Sequence, residues 1–381
     1  MGREARSAKK NRTTAARGKS NLAELPFAPE EVPRRLLTWY GVHGRDLPWR
    51  KTRDPYRIWL SEVMLQQTTV AAVIPYYERF LQRFPRLPDL AAASLDDVIQ
   101  LWAGLGYYSR ARNLHQAARQ IVSAFAGRFP NQFDDLMTLP GIGRSTAGAI
   151  LSLAFDQPVP ILDGNVRRVL VRLFAWEENP RSSRAEKQLW SWAERLTPVE
   201  RPHDYAQAIM DLGATLCTPG TPNCSLCPLD SLCVARQRGL SELLPQKPQK
   251  KVVPVRHQAA LLISFEKTLR VVQRPPEGLL GGLWEFPVVS VPEDSSAGQA
   301  VCSWLDSAGL QQKVEFIGEI RHIYSHFRLT LEVYVVTVTD QDAATHLSGR
   351  WCPVDDLPAL PLHGAHLKAL QLYRQRSSVD D

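Results

Sequence analysis

Four cysteines stand within one short stretch, Cys217-x6-Cys224-x2-Cys227-x5-Cys233, in a loop that also carries Pro219, Pro222 and Pro228. Four thiolates so spaced can close around one soft centre, either zinc or an iron–sulfur cluster, and the spacing alone does not choose between them. Cys302 and Cys352 lie far downstream and read as buried apolar residues. A second chemical group is Glu62, within Ser61-Glu62-Val63-Met64-Leu65-Gln66-Gln67-Thr68. Ile58, Glu62 and Leu65 recur at helical spacing, so the acid shares a face with apolar neighbours. Most helical glutamates are solvated. Burial of this one would raise its pKa, which a proton donor at neutral pH requires.

The third group lies in Leu139-Pro140-Gly141-Ile142-Gly143-Arg144-Ser145-Thr146-Ala147 and, after an apolar run, Ile161-Leu162-Asp163-Gly164-Asn165-Val166. Pro140 and the two glycines interrupt any helix and permit a tight turn with positive φ. Ala147, Ile150, Leu151 and Ala154 recur at helical spacing, so a helix starts just after Gly143. The free backbone N–H groups at such a start suit a phosphate oxygen. Asp163 begins the next helical run, where an ordinary N-cap role would account for it as well as a chemical one. Arg167 and Arg168 follow, and are expected to meet a phosphate backbone without carrying sequence information.

Holding these groups requires a largely helical scaffold. From about residue 33 to 235 the pattern is helical with short Pro/Gly turns, illustrated by the stripe Ala111, Leu114, Ala118, Ile121, Val122 and Phe125. Nine or ten helices and no convincing strand are expected there. Pro245, Pro248 and Pro254, set among Gln and Lys residues, mark 236–256 as a semi-extended linker. Beyond it the period changes: 259–264, 269–273 and 329–335 read as strands, and 298–307 and 363–375 as helices. The predicted organisation is a basic disordered tail (1–28), a mainly α domain (29–235), the linker (236–256) and an α+β domain (257–381).

A chain of 381 residues is long enough for two domains, each with its own core. No run of eighteen apolar residues suggests a membrane span. The formal net charge is +7, but Arg3, Arg6, Lys9, Lys10, Arg12, Arg17 and Lys19 against Glu4 put most of it in the first twenty residues. The charge is therefore weak evidence for a nucleic-acid-binding body. The tail lacks the apolar segment of a secretory signal. It reads as a basic arm that adds non-specific affinity, a transit peptide being the other reading its Arg-rich composition allows. Six cysteines without a secretion signal argue for a reducing compartment, and a cytoplasmic, nucleoid-associated location of bacterial type is expected.

Taken together, these features resemble the endonuclease III superfamily of DNA glycosylases and, within it, the MutY family of adenine glycosylases, which remove A mispaired with 8-oxoguanine. The motifs in order are Leu47-Pro48-Trp49, 61–68, Gly104-Leu105-Gly106-Tyr107-Tyr108, 139–147, 162–166 and the cysteine spacing. The resemblance implies a helix-hairpin-helix domain with a [4Fe–4S] cluster at Cys217, Cys224, Cys227 and Cys233. It implies Glu62 as the acid that protonates the adenine ring, and Asp163 as the carboxylate facing the sugar. Asn165 would hold Asp163 in place, and Arg45, Trp49 and Asp211 match adenine-pocket positions. Gln67, Thr68, Leu105 and Tyr107 match those that fill the gap left by the flipped base and contact 8-oxoguanine. The hairpin residues Gly141, Gly143 and Arg144, with Arg167, would grip the DNA backbone.

One position separates the superfamily's two branches. Bifunctional members carry a lysine nucleophile two residues after the hairpin glycine, and this chain has Ser145, which cannot form a Schiff base. A monofunctional glycosylase is expected, with Ser145 assisting around Asp163; a bifunctional oxidised-pyrimidine glycosylase and lyase is the alternative. The second domain resembles the Nudix-related C-terminal domain of the same family, through Gly278-Leu279-Leu280-Gly281-Gly282-Leu283-Trp284-Glu285-Phe286-Pro287. A Nudix hydrolase needs several acids on its metal-binding helix, and 298–310 offers only Asp306. Recognition remains: Tyr324-Ser325-His326 matches an aromatic-Ser-His loop that reads 8-oxoguanine, with Tyr324 standing where phenylalanine is usual. The implied partner is double-stranded DNA with an A:8-oxoguanine or A:G mispair, bound by a monomer, with replication or repair proteins as candidate further partners.

Overall fold

The computed structural model describes residues 25–246, 253–275, 278–324, 327–339 and 348–377. The basic tail through residue 24, part of the linker, and Ser325 and His326 lie outside the described residues. The first domain contains α1 (Glu31–His43), α2 (Pro55–Leu65), α3 (Val70–Arg83), α4 (Leu87–Ala92), α5 (Leu95–Trp102) and α6 (Ser109–Ala124). It continues with α7 (Phe133–Met137), α8 (Arg144–Phe155), α9 (Gly164–Leu173), α10 (Ser183–Leu196), α11 (Pro202–Thr215) and α12 (Val234–Gln237). More helices form than expected because α4, α7 and α12 are too short to show a clear apolar period.

The helices bury their apolar stripes in two cores. One gathers α2 to α8 around Trp59, Phe80, Trp102 and Ile121. The other packs α1 against α9, α10 and α11 around Leu36, Leu170, Leu189 and Leu212. Because α1 belongs to the second core and α2 to the first, the chain crosses between them early. Glu62 and Asp163 both line the cleft between the two cores. Leu25 and Phe27 pack on the second core, with Phe27 stacked on Phe174 at 5.5 Å, so ordered structure begins before the expected end of the tail. The expected linker is likewise shorter: Leu244 is buried in the second core and its carbonyl accepts from Arg172 Nε at 2.8 Å.

The second domain is a seven-stranded mixed sheet: β1 (Val255–Phe265), β2 (Thr268–Gln273), β3 (Trp284–Glu285), β4 (Val288–Ser290), β5 (Lys313–Ile323), β6 (Arg328–Thr337) and β7 (Arg350–Pro353). Helices α13 (Ala297–Ser307) and α14 (Gly364–Ser377) cover its two faces. Ala259, Leu261 and Ile263 of β1 face α13, while Ala260 and Leu262 face α14. Both faces being buried, β1 reads as an unbroken apolar run rather than an alternating one. The edge strand β5 escaped the sequence reading because a bulge at Gly318 shifts its register and its exposed positions mix Lys313, Glu319 and Arg321 with Phe316 and Ile323. Cys352 is buried as expected; Cys302 is not, lying exposed on α13.

The domains touch through side chains of α5 and α6. Gln100 Nε2 donates to the Ala359 carbonyl at 3.0 Å, Gln273 Nε2 to Asp96 at 3.3 Å, and Arg112 to the Gly281 carbonyl. Among the described residues, no helix is long and apolar enough to cross a membrane.

The segment after α8 returns across that helix to deliver Asp163. Ser152 Oγ donates to the Val159 carbonyl at 2.8 Å, and Gly148 lets the Pro160 carbonyl approach the helix closely. A Cβ at Gly148 would collide with that carbonyl. Helix propensity alone predicts that Gly148→Ala stabilises by about 0.5–1 kcal/mol. The collision predicts instead a loss of about 1–3 kcal/mol in urea denaturation, so the sign of the change checks this packing.

Candidate active site

Helix α2 presents Glu62 from the first core. Asp54 caps its start, accepting from Tyr56 N at 2.9 Å, and Pro55 occupies the first turn. Ile58, Trp59, Leu60, Val63 and Met64 are buried, while Glu62 lines a cavity of about 760 Å³ between the two cores. Among the described residues none hydrogen-bonds its carboxyl. Burial, with a contribution from the Asp163 charge, pushes Glu62 up to about 7 against the opposing pull of Arg50.

Asp163 faces the same cavity from the second core, at the N-cap of α9. Its Oδ1 accepts from Val166 N at 2.7 Å and its Oδ2 from Asn165 Nδ2 at 3.3 Å. Arg168 in turn holds Asn165 Oδ1 at 2.7 Å. Burial raises the Asp163 pKa, while the Val166 and Asn165 amides and Arg168 oppose that rise. The amides that cap the helix therefore also stabilise the ionised carboxylate. Ser145, near the start of α8, accepts the Leu162 amide at 3.0 Å and so ties down the segment that carries Asp163. It offers no amine.

Of the expected pocket residues, Arg45 and Trp49 line the cavity, joined by Arg50, Gln207 and His203. Asp211 does not. It is 0% exposed and saturated by arginines: Arg45 Nε donates at 2.7 Å, and Arg50 Nη1 and Nη2 both at 2.6 Å. Burial pushes its carboxyl up, but Arg50 and Arg45 hold it below the usual range. Asp211 thus orients the two cations that face the cavity. Beside them runs a polar chain in which Tyr40, under the Arg50 guanidinium, donates to Gln207, Gln207 Nε2 lies 2.7 Å from His203 Nε2, and His203 Nδ1 lies 2.9 Å from Asp204.

Gln67 and Thr68 lie at the rim of the cavity, and Tyr107 stands on the neighbouring loop. Gln67 and Tyr107 both adopt left-handed backbone, with φ of 58° and 50°, which costs a side-chain-bearing residue free energy and marks loops held by their surroundings. Leu105, expected beside them, is only 7% exposed and packs into the first core beneath the loop. It supports the loop instead of projecting from it.

What holds both loops is Arg110, a residue the sequence reading missed. Its Nη1 donates to the Val63, Met64 and Gln66 carbonyls at 3.0, 2.8 and 2.6 Å, capping the C-terminal end of α2. Its Nη2 reaches Thr68 Oγ1 at 3.1 Å and the Gly106 carbonyl at 3.1 Å. Among the described residues no carboxylate pairs with it, and burial lowers its pKa to about 10. The sequence signal was available: Arg110 sits one turn before Leu114 and Ala117/Ala118 on the apolar stripe of α6, where a cation is out of place unless it has buried acceptors.

The hairpin is α7, a turn and α8. Gly141 turns at φ 79°, whereas Gly143 is an ordinary extended N-cap, so only the first glycine fulfils the positive-φ expectation. No side chain caps the first amides of α8. Arg144 packs over the Trp190 ring at 3.9 Å and pairs with Glu194. The guanidiniums of Arg167 and Arg168, expected to meet a phosphate backbone, are engaged within the fold. Arg167 bonds Glu186 at 2.6 Å and the Pro180 carbonyl at 2.8 Å, and Arg168 bonds the Gly213 and Cys217 carbonyls at 2.6 Å each. They brace α9 against α10, α11 and the cysteine loop, a task the sequence spacing could not distinguish from DNA contact.

Cys217, Cys224, Cys227 and Cys233 converge on one small cavity beside Arg172. Arg172 Nη1 lies 3.3 Å from Cys217 Sγ, and the other contacts of this guanidinium are the carbonyls of Thr218, Gly220 and Leu244. Burial raises the thiols of Cys217, Cys227 and Cys233, Cys227 to about 12, and a bound metal centre would displace their protons. Tyr324 lies in the other domain, its hydroxyl 2.8 Å from His363 Nδ1.

A hairpin-bearing helical domain with two carboxyl groups across a base-sized cleft defines a DNA glycosylase of the helix-hairpin-helix class. Residues 60–195 match the HhH-GPD superfamily of base excision DNA repair proteins, and residues 258–372 match the NUDIX domain. A thermostable thymine-DNA glycosylase of known structure is similar, with 30% identity and a TM-score of 0.51 over 55% of this chain and 97% of that one. Adenine DNA glycosylases of Rattus norvegicus and Homo sapiens are 40% and 38% identical, over 90% and 89% of this chain and 78% and 73% of theirs. The chain belongs to the adenine DNA glycosylase family. It is a monofunctional enzyme acting on DNA, a hydrolase of N-glycosyl bonds.

The environment of Glu62 predicts a stability signature. A carboxyl raised from 4.5 to about 7 in the folded protein favours folding while protonated, and that advantage is lost as pH rises through about 7. Glu62→Gln is therefore expected to melt increasingly above wild type between pH 5 and pH 8, with the two converging at pH 5 and below. Parallel melting curves across that range would show that Glu62 is not desolvated.

Proposed function

We propose that the enzyme removes adenine standing opposite 8-oxoguanine or guanine, with Glu62 as the proton donor and Asp163 as the charge beside the sugar. The observation that carries this reading is the unequal environment of two carboxyl groups on one cavity. Glu62 has apolar neighbours and no hydrogen bond among the described residues, and burial lifts its pKa to about 7; burial lifts Asp163 too, but the helix amides and Asn165 favour its ionised form. Neutral adenine leaves poorly. As the N-glycosidic bond breaks, the base takes the bonding pair and the Glu62 proton, while the oxocarbenium-like sugar is stabilised by Asp163 until water adds. Asn165 and Ser145 hold Asp163 at its post.

The base must leave the stack to reach Glu62. Gln67, Thr68 and Tyr107, on the two loops that Arg110 fastens, are suited to enter the gap it leaves. Arg45, Arg50 and Trp49 would enclose the flipped adenine. The uncapped amides of α8, with Gly141, Gly143 and Arg144 around them, are suited to a backbone phosphate. The Tyr324–His326 segment is proposed to read 8-oxoguanine, whose extra hydrogen-bonding groups give a contact that guanine lacks.

The four converging cysteines fit a [4Fe–4S] cluster, which takes four thiolates and no other donor. Arg172 and Arg168 beside Cys217 suit the negative charge of such a centre. Bound there, a cluster supplies a covalent staple for the 217–233 loop. Equal amounts of iron and acid-labile sulfide, with little zinc, are the expected analysis of purified protein; a zinc-filled site would contradict the assignment.

Duplex DNA with A opposite 8-oxoguanine tests the reaction. Strand breaks are expected only after alkali, and faster than with A opposite guanine. Glu62→Gln and Asp163→Asn are each expected to slow base release about 10²- to 10⁴-fold while duplex binding persists. The wild-type rate should fall as pH rises through about 7, as Glu62 loses its proton. Near-normal activity of either variant would overturn the roles, and equal rates on the two mispairs would overturn the lesion preference.

A further inference from the structure

The second domain contains a buried polar chain that base removal does not use. Tyr324 Oη lies 2.8 Å from His363 Nδ1, His363 Nε2 lies 3.1 Å from Glu285 Oε2, and Arg274 Nη1 donates to both Glu285 oxygens at 2.7 and 2.9 Å. The partners set the direction of the chain. His363 donates Nε2–H to the carboxylate, leaving Nδ1 to accept the Tyr324 hydroxyl. Burial pushes Glu285 up, but His363 and Arg274 hold its carboxyl below the usual range.

His366 packs against His363 with ring centroids 4.2 Å apart, and its Nδ1 accepts from Phe286 N at 2.9 Å. Glu285, His363 and His366 thereby bring three ligand-type atoms within 4.8 Å of one another, as a metal site would. Coordination does not fit them. Arg274 occupies both Glu285 oxygens, both His363 nitrogens are engaged, and a metal cation would stand against the guanidinium. The groups satisfy one another, which makes the chain a rigid brace.

The two ends of that brace are informative. At one end the Tyr324 ring lies between His322 and Phe327, with centroids 4.5 and 4.8 Å away, and Tyr324 immediately precedes Ser325 and His326. At the other, Arg274 Nε donates to the Leu279 carbonyl at 3.2 Å, and the Arg274 carbonyl accepts from Gly282 N at 3.2 Å. The 278–283 turn so fixed is the one whose Gly281 carbonyl receives Arg112 of α6, the helix that begins just after Tyr107 and Tyr108. One hydrogen-bonded path therefore runs from Tyr324 to the helix behind the loop at the catalytic cleft.

We propose that His363, Glu285 and Arg274 are positioning residues that hold Tyr324, and that preference for 8-oxoguanine over guanine opposite adenine depends on the Tyr324–His363 hydrogen bond. The inference rests on the reading that the 324–326 segment contacts 8-oxoguanine. It also gives the Tyr324 hydroxyl a task, since a phenylalanine there would fill the same space and leave His363 Nδ1 without its donor.

Single-turnover base release by the full chain, on duplexes with A opposite 8-oxoguanine and A opposite guanine, tests this. Tyr324→Phe, which removes one oxygen and leaves the ring packing, is expected to lower the ratio of the two rates about 3- to 10-fold, chiefly through slower release opposite 8-oxoguanine. His363→Gln should do the same, and the double variant should lose no more than the larger single loss, because each breaks the same Tyr324–His363 bond. An unchanged ratio for Tyr324→Phe, or equal slowing on both duplexes, would overturn the proposal. His326→Ala in the same assay separates the two levels. If it abolishes the preference while Tyr324→Phe keeps it, the brace is refuted and the reading segment stands; if it keeps the preference, both fall.

Discussion

Two carboxyl groups on one enclosed cavity cannot both ionise cheaply, and the enzyme resolves this by giving them unlike surroundings. Asp163 sits at the positive end of α9 with two amide donors and the Arg168-held Asn165 around it. Glu62 sits on a helix whose neighbouring side chains are apolar, with Arg50 as the cation opposing its burial. These surroundings favour the proton on Glu62 and the charge on Asp163. This division is what acid-assisted departure of a base and stabilisation of a sugar cation jointly demand.

Much of the first domain serves to keep that division in place. The carboxyls come from different cores, so their separation depends on how α2 and α8 pack against α9 and α11. Gly148 and Ser152 bring the incoming segment close to α8, Ser145 fixes its last turn before Asp163, and Asp211 locks Arg45 and Arg50 at the wall. Arg110 does the corresponding work on the other side, ending α2 just after Glu62 and joining its exit loop to the loop of Tyr107. A single buried cation with several carbonyl partners holds two strained loops, where an ion pair would have fixed only one carboxylate.

The helices, the hairpin and the cysteine loop were legible in the sequence because each has a local signal: a 3.6-residue period, a glycine turn, a fixed spacing. Glu62 and Asp163 were legible as candidates, but their opposed environments were not, since those arise from segments about a hundred residues apart in sequence. Arg167 and Arg168 read as DNA contacts because a sequence shows a cation and hides its partner; Glu186, Pro180, Gly213 and Cys217 supply those partners only after folding. Asp211 looked like a pocket wall for the same reason. In the second domain β5 was missed because its bulge and the mixed charged and apolar character of its exposed positions conceal the alternation, whereas β1 shows an uninterrupted apolar run and β6 alternates Leu329, Leu331, Val333 and Val335 with other residues.

The central claim is that Glu62 holds the proton and Asp163 the charge. Carbon-13 NMR of the labelled side-chain carboxyls, with Glu62→Gln and Asp163→Asn used to assign the two signals, reads this directly. The account predicts that the Glu62 signal titrates near pH 7 and that of Asp163 at a lower pH. A Glu62 carboxyl that ionises in the ordinary glutamate range, or an Asp163 that keeps its proton after Glu62 has lost its own, would contradict it.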